Sequence, residues 1–186
     1  MMRAGLLSIL LLFNSVAVRA QDQPKKTPAD VMREIRLKVL TTPPSQMGRG
    51  PTEEYPHVDG IVMDWPIKDT TLSLMASSAG DGSIYTTGNF GVFGGIDYEN
   101  VRSTAKNLVK LGEKYYSDAI PTKDSSYPQP GHLRFYLMCY DGLRMIDVDV
   151  NALSSSNGKY SDLFAEARRM ISELGQIAQE KPKDAR

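Results

Sequence analysis

The stretch His132–Val150, "HLRFYLMCYDGLRMIDVDV", decides the fold class. Two apolar runs flank Asp141-Gly142, and an Asp-Gly pair between such runs is the strongest short-range hairpin signal a sequence carries. The first run is apolar on both faces, which predicts a central strand covered on both sides. The second alternates, with Met145, Asp147 and Asp149 on one face and Ile146, Val148 and Val150 on the other. The two aspartates read as the solvated face of an amphipathic strand, because a metal site would need further oxygen donors converging from elsewhere.

Working upstream, Pro121 to Pro130 is a Pro/Ser-rich linker, preceded by a helix from about Tyr98 to Asp118 with Asp97 as its N-cap. Val101, Ala105, Leu108, Gly112 and Tyr115 form the apolar stripe of that helix. Before it come three short strands. In "DGIVMDWPI" Ile61, Met63 and Trp65 share one face and Val62 and Asp64 the other. In "TTLSLMASS" Leu72, Leu74 and Ala76 share a face, and "SIYTT" is the third. The turns Lys68-Asp69 and Gly80-Asp81-Gly82 join them. Thr41 to Pro56 is a Gly/Pro-rich connector. Thr27-Pro28-Ala29-Asp30 opens a first helix that carries Val31, Ile35 and Val39 and stops before Pro43-Pro44. Downstream of the hairpin, Asn157-Gly158 turns into a last helix over 161–179, with Leu163, Ala167, Met170, Ile171 and Leu174 facing inward.

The order α-β-β-β-α-β-β-α, with hairpins instead of alternating strands and helices, predicts one α+β domain over 27–179. It should hold an antiparallel sheet with helices packed on it. Profilin-like and roadblock-like domains share this general look, as an architectural analogy only. Trp65, Leu74, Phe135, Leu137 and Ile146 are expected to meet Val101, Leu108, Leu163 and Leu174 in the core. Cys139 is the one cysteine of the chain, so packing without an intramolecular disulfide must carry the fold, and within "FYLMCY" it reads as a small buried hydrophobe.

The strand–glycine loop–helix order at "TTGNFGVFGG" (86–95) raises a phosphate-cradle reading. Thr86, Thr87, Gly88, Gly91, Gly94 and Gly95 supply hydroxyls and backbone N–H groups, and Arg102 follows one turn into the helix. Neither a Rossmann nor a Walker A signature is met, and Asp97 would repel an anion at the helix start. The glycines are therefore expected to form a tight corner, with Phe90 and Phe93 able to plug into the core. The two histidines, His57 and His132, stand at element edges, too few for a three-histidine zinc site. No G-x-S-x-G elbow is present. Asp64, beside an otherwise apolar strand, is expected to pair with Arg134 or Arg144 across the sheet.

Met1-Met2-Arg3, the leucine-rich run Ala4–Val18 and small residues around Ala20 have the layout of a secretory signal peptide over 1–20. Residues 21–26 and 180–186 read as frayed, charged ends. The whole chain has 22 basic and 22 acidic residues, and loss of Arg3 and Arg19 leaves a faintly acidic protein without a basic block. Nucleic acid is therefore an unsuitable partner, and no stable membrane insertion is expected after cleavage.

At "DGIVMDW", "GSIYTTGNFGVFGG", "YENVRSTAKNLVKL" and "GHLRFYLMCYDG" the chain resembles a group of small bacterial proteins of uncharacterised function. In that group a strand ending in an acidic-aromatic pair is followed by a hairpin. A serine-tyrosine strand then runs into a glycine stretch, and an Arg-Phe-Tyr strand ends in Asp-Gly. The resemblance covers 57–177. This chain departs from it where Asn89, Phe90, Val92 and Phe93 interrupt the glycines, and in its export leader. The resemblance implies a fold and no particular activity. The function expected from the sequence is an exported, non-enzymatic binding or adaptor module without cofactor or metal, with an unknown protein or small molecule as partner. The alternative is an anion-binding protein or hydrolase that uses the 86–95 loop.

Overall fold

In the computed structural model, residues 25–153 and 158–180 are described. The leader, most of the 21–26 segment, Asn157 and residues 181–186 lie outside them. The helices are α1 (Pro28–Thr41), α2 (Glu99–Lys114) and α3 (Ser161–Glu180). The strands are β1 (Val58–Ile67), β2 (Thr70–Ser77), β3 (Gly82–Thr86), β4 (Gly91–Val92), β5 (Ile120–Pro121), β6 (His132–Cys139) and β7 (Gly142–Asp149). They form a seven-stranded antiparallel sheet in the order β4-β3-β2-β1-β6-β7-β5. The chain is an α+β single domain in the expected element order, and the short edge strands β4 and β5 are additions to it.

The hairpin that decided the class forms. Cys139 pairs with Gly142, so the turn is Tyr140-Asp141, one residue ahead of the expected Asp141-Gly142, and β6 lies in the sheet interior between β1 and β7. Its residues alternate between two apolar layers. Leu133, Phe135 and Leu137 face α2 and α3, where they join Ile61, Leu74, Leu108 and Leu174. Tyr136 and Met138 face the opposite side, where they meet Val62 and Leu40 of α1. Both faces of the central strands are thus covered, which is why β6 could not afford the polar alternation seen in β7. Close approach of α2 to β1 depends on Gly112, where an added Cβ would stand 2.6 Å from Ile61 Cδ1.

Helix α1 begins on a reciprocal capping box between Thr27 and Asp30, with Pro28 in its first turn. It ends where Thr42 turns extended (φ −87°, ψ 113°) ahead of Pro43-Pro44. Its inward stripe differs from the expected one. Val31 is exposed, Ile35 and Val39 are half-buried, and the buried residues are Arg36 and Leu40. Trp65 sits at the core's margin, edge-on to Phe164 at 5.2 Å. Asp97 lies in a short 3-10 turn and does not cap α2. The N-cap is Tyr98, with no side-chain bond, and the helix ends at Lys114, short of Asp118. At the chain's described start, Lys26 bonds Glu34 at 2.7 Å.

Candidate ligand-binding cleft

Along one row of the α1 face, Tyr85, Ser73, Asp64, Arg134 and Asp147 stand side by side on β3, β2, β1, β6 and β7. Asp64 lies directly opposite Arg134, yet it pairs with neither arginine expected from the sequence. Its partner is Arg36 of α1. Arg36 Nε donates to Asp64 Oδ1 at 3.0 Å and Oδ2 at 2.9 Å, and Nη2 donates to Oδ2 as well. Ser73 Oγ donates to the same carboxylate at 2.5 Å. The competing arginines are occupied elsewhere. Arg134 holds Asp147 and Asp124, and Arg144 holds Asp141.

Both Arg36 and Asp64 are almost wholly removed from water, with side chains 4% and 0% exposed. Burial works against the guanidinium's charge, but the Asp64 hydrogen bonds and charge outweigh it, so the Arg36 pKa is raised above its ordinary value. The remaining edge of Arg36 points at the linker. Nη1 donates to Ser125 O at 2.7 Å, and the guanidinium carbon stands 4.1 Å from the Tyr127 ring centroid. Tyr136 Oη donates to Ser126 O from below. One buried arginine therefore fastens α1, the sheet and the 122–127 strap together.

The strap and the end of α1 do not close completely. Between them and the β6–β7 hairpin lies a cleft of about 510 Å³. Leu40 and Pro44 line it from the end of α1, Met138 and Leu143 from the hairpin, and Thr122, Lys123 and Ser125 from the strap. Each wall is held for a local reason. The hydroxyls of Thr41 and Thr42 bond back to Leu37 O and Lys38 O, which satisfies the last carbonyls of α1 and turns its tail. Thr122 N donates to Leu143 O at 2.9 Å, extending β5 along the β7 edge. The volume falls in the usual range for small-molecule sites, and the lining is mostly apolar with a few polar groups at the rim. A second depression, along Gly48–Tyr55 and Ser78, is flatter and relatively more polar.

Charge at the rim of the first cleft is uneven. Asp141 accepts from Tyr116 Oη at 2.7 Å and Arg144 Nη2 at 3.0 Å. Arg144 first, and Tyr116 next, hold its carboxyl below the usual carboxylate range. Lys123, on the facing wall, has no hydrogen-bond or ion-pair partner among the described residues.

Cys139 also borders the cleft, but its residue is 2% exposed and burial pushes its thiol up to about 12. That makes it inert as a nucleophile near neutral pH. The histidines are held apart by their own carboxylates. His57 Nδ1 meets Glu113 Oε2 at 3.1 Å, and His132 Nδ1 meets Asp147 Oδ1 at 2.6 Å at the other end of β6. Among the described residues no group of three His, Cys, Asp or Glu side chains is placed to hold a metal ion. No helix among them is long and apolar enough to cross a membrane.

The glycine loop stands away from this cleft, toward the β3–β4 edge of the sheet. Its hydroxyls are engaged by its own surroundings: Thr86 Oγ1 donates to Phe90 O at 3.3 Å, and Thr87 Oγ1 accepts from Thr71 N at 2.9 Å. Gly88 lies beside Thr86, and Gly91 packs near Met32 of α1. Gly94 takes φ 81°, which favours glycine, and at Gly95 an added Cβ would stand 2.7 Å from both Gly82 O and Val101 Cγ1. Arg102 donates to Ile96 O at 2.7 Å and pairs with Glu99. Neither phenylalanine plugs the core, contrary to that expectation: Phe90 and Phe93 remain 47% and 41% exposed. Phe93 instead lies parallel to Tyr85, with ring centroids 6.1 Å apart. The side chain that this stretch buries is Val92 of β4.

The sequence carried half a signal for the Arg36–Asp64 pair: an aspartate within an apolar strand. Nothing in it marked the cleft, whose walls come from three segments far apart in the chain. No protein-family model, curated protein or solved structure matches the chain.

Proposed function

We propose that the protein is an exported, non-enzymatic binding module whose ligand seats in the cleft between the end of α1, the 122–125 strap and the β6–β7 hairpin. Export rests on the leader-like layout of residues 1–20. Binding rests on one observation: an open, mostly apolar cleft of about 510 Å³ whose walls are fixed from behind by the buried Arg36–Asp64 pair. Preorganised walls reduce the ordering cost that a ligand would otherwise meet. The alternative, an anion at 86–95, draws less support because Thr86, Thr87 and Arg102 are already engaged with the loop's backbone, Thr71 and Glu99.

The test uses N-phenyl-1-naphthylamine, a neutral apolar probe whose fluorescence rises on leaving water. Saturable one-to-one binding is expected for the protein, and loss of it in Ser125→Trp, which fills the cleft. Circular dichroism of the variant should match the parent. Absence of probe binding, or equal binding by a folded Ser125→Trp, overturns the proposal.

A further inference from the structure

The cleft combines an apolar floor with one uncompensated charge, and that combination specifies more than size. Leu40, Met138 and Leu143 offer nothing that a polar ligand could bond with their side chains. Two charged side chains border the cleft, Asp141 and Lys123. Asp141 is neutralised by Arg144 and hydrogen-bonded by Tyr116, so its charge is already answered within the protein. The neighbouring Asp124 does not answer Lys123: its carboxylate accepts from Ser126 N at 2.7 Å, Ser126 Oγ at 3.0 Å and Arg134 Nη1 at 3.2 Å. Lys123 is left as a cation on a flexible stem at the mouth of an apolar trough.

Resting on the reading of the cleft as the ligand site, we infer that its ligand is an anionic amphiphile: an aliphatic chain on Met138 and Leu143, with a carboxylate or similar single anionic head at Lys123. The chain gains by leaving water along the apolar floor. The head stays at the solvent edge, where the ammonium attracts it without the desolvation cost of a buried pair. Charge complementarity of this exposed kind adds selectivity more than affinity.

Calorimetric titration with decanoate, decanol and decyltrimethylammonium, each below its aggregation concentration, tests the class. Decanoate should bind most tightly, decanol about fivefold more weakly, and the ammonium amphiphile weakest, the step reflecting one exposed ion pair. Lys123→Met should bring decanoate down to the affinity of decanol and leave decanol unchanged. Because Lys123 is exposed, that variant should fold as the parent does. Equal binding of decanoate and decanol by the parent protein, or decanoate binding unaffected by Lys123→Met, overturns the anionic class while leaving the cleft as a site. Failure of all three amphiphiles to bind overturns the cleft itself and this inference with it.

Discussion

Replacing Arg36 by methionine should destabilise the protein more than most single changes in its apolar core. The substitution keeps much of the side chain's bulk but removes the cation that is ion-paired with Asp64, whose side chain is 0% exposed. Three N–H···O contacts to that carboxylate vanish together, and among the described residues the Ser73 hydroxyl is left to answer it. Stranding one partner of a buried ion pair costs about 3–5 kcal/mol. Against a typical domain stability of about 5–15 kcal/mol, that is a large fraction. The lost bond to Ser125 O adds to it, since that carbonyl anchors the strap. Urea titration followed by circular dichroism measures the cost. The double variant Arg36→Met/Asp64→Asn should recover most of it, because no buried charge is then left unpaired. A loss below about 1 kcal/mol in Arg36→Met, the range of an exposed pair, would show that Asp64 is not stranded without Arg36.

Other outcomes follow from the same packing. Leu108→Ala removes a fully buried side chain of α2 and should cost about 2–5 kcal/mol in the same titration. Asp149→Ala, at an exposed residue, should stay within about 0.5 kcal/mol. Stability should fall on acidification below about pH 4. Burial acts to raise the Asp147 carboxyl, but Arg134 and His132 hydrogen bonds outweigh it, so its folded pKa lies below the unfolded value. Its contribution is therefore present above the unfolded pKa and lost as pH falls through the folded one. Asp141 and Asp124, also lowered, act in the same sense, and thermal melts between pH 3 and 6 read the slope. Native Cys139 should resist a maleimide at pH 7.5 and react only after unfolding, since its thiol is buried and pushed up to about 12.

What was legible in the sequence was whatever one strand or helix decides alone. The β6–β7 hairpin, the two-faced apolar β6 and the stripe of α2 each carry their own period, and each stands where that period put it. Asp97 was misread because a good capping residue was present one position too early. The chain needs Gly94 and Gly95 to turn before α2 can begin, and the 3-10 turn takes Asp97. Arg36 was missed because the stripe of α1 was read from its apolar residues Val31, Ile35 and Val39, whereas the residues it buries are Arg36 and Leu40. What turned it inward was Asp64, on a strand whose pairing across the sheet looked sufficient by itself. The cleft could not be seen at all. Leu40, Lys123 and Leu143 come together only after α1 crosses the sheet and the Pro/Ser-rich strap folds back over β7.

Backbone amide shifts recorded while decanoate is titrated into isotopically labelled protein locate the ligand between the cleft and the glycine loop. Saturable changes are expected at Leu40–Thr42, Thr122–Ser125 and Cys139–Leu143, with the amides of 86–95 unmoved. Changes concentrated at Thr86–Gly95 and Arg102 would contradict this and place the ligand at the glycine loop.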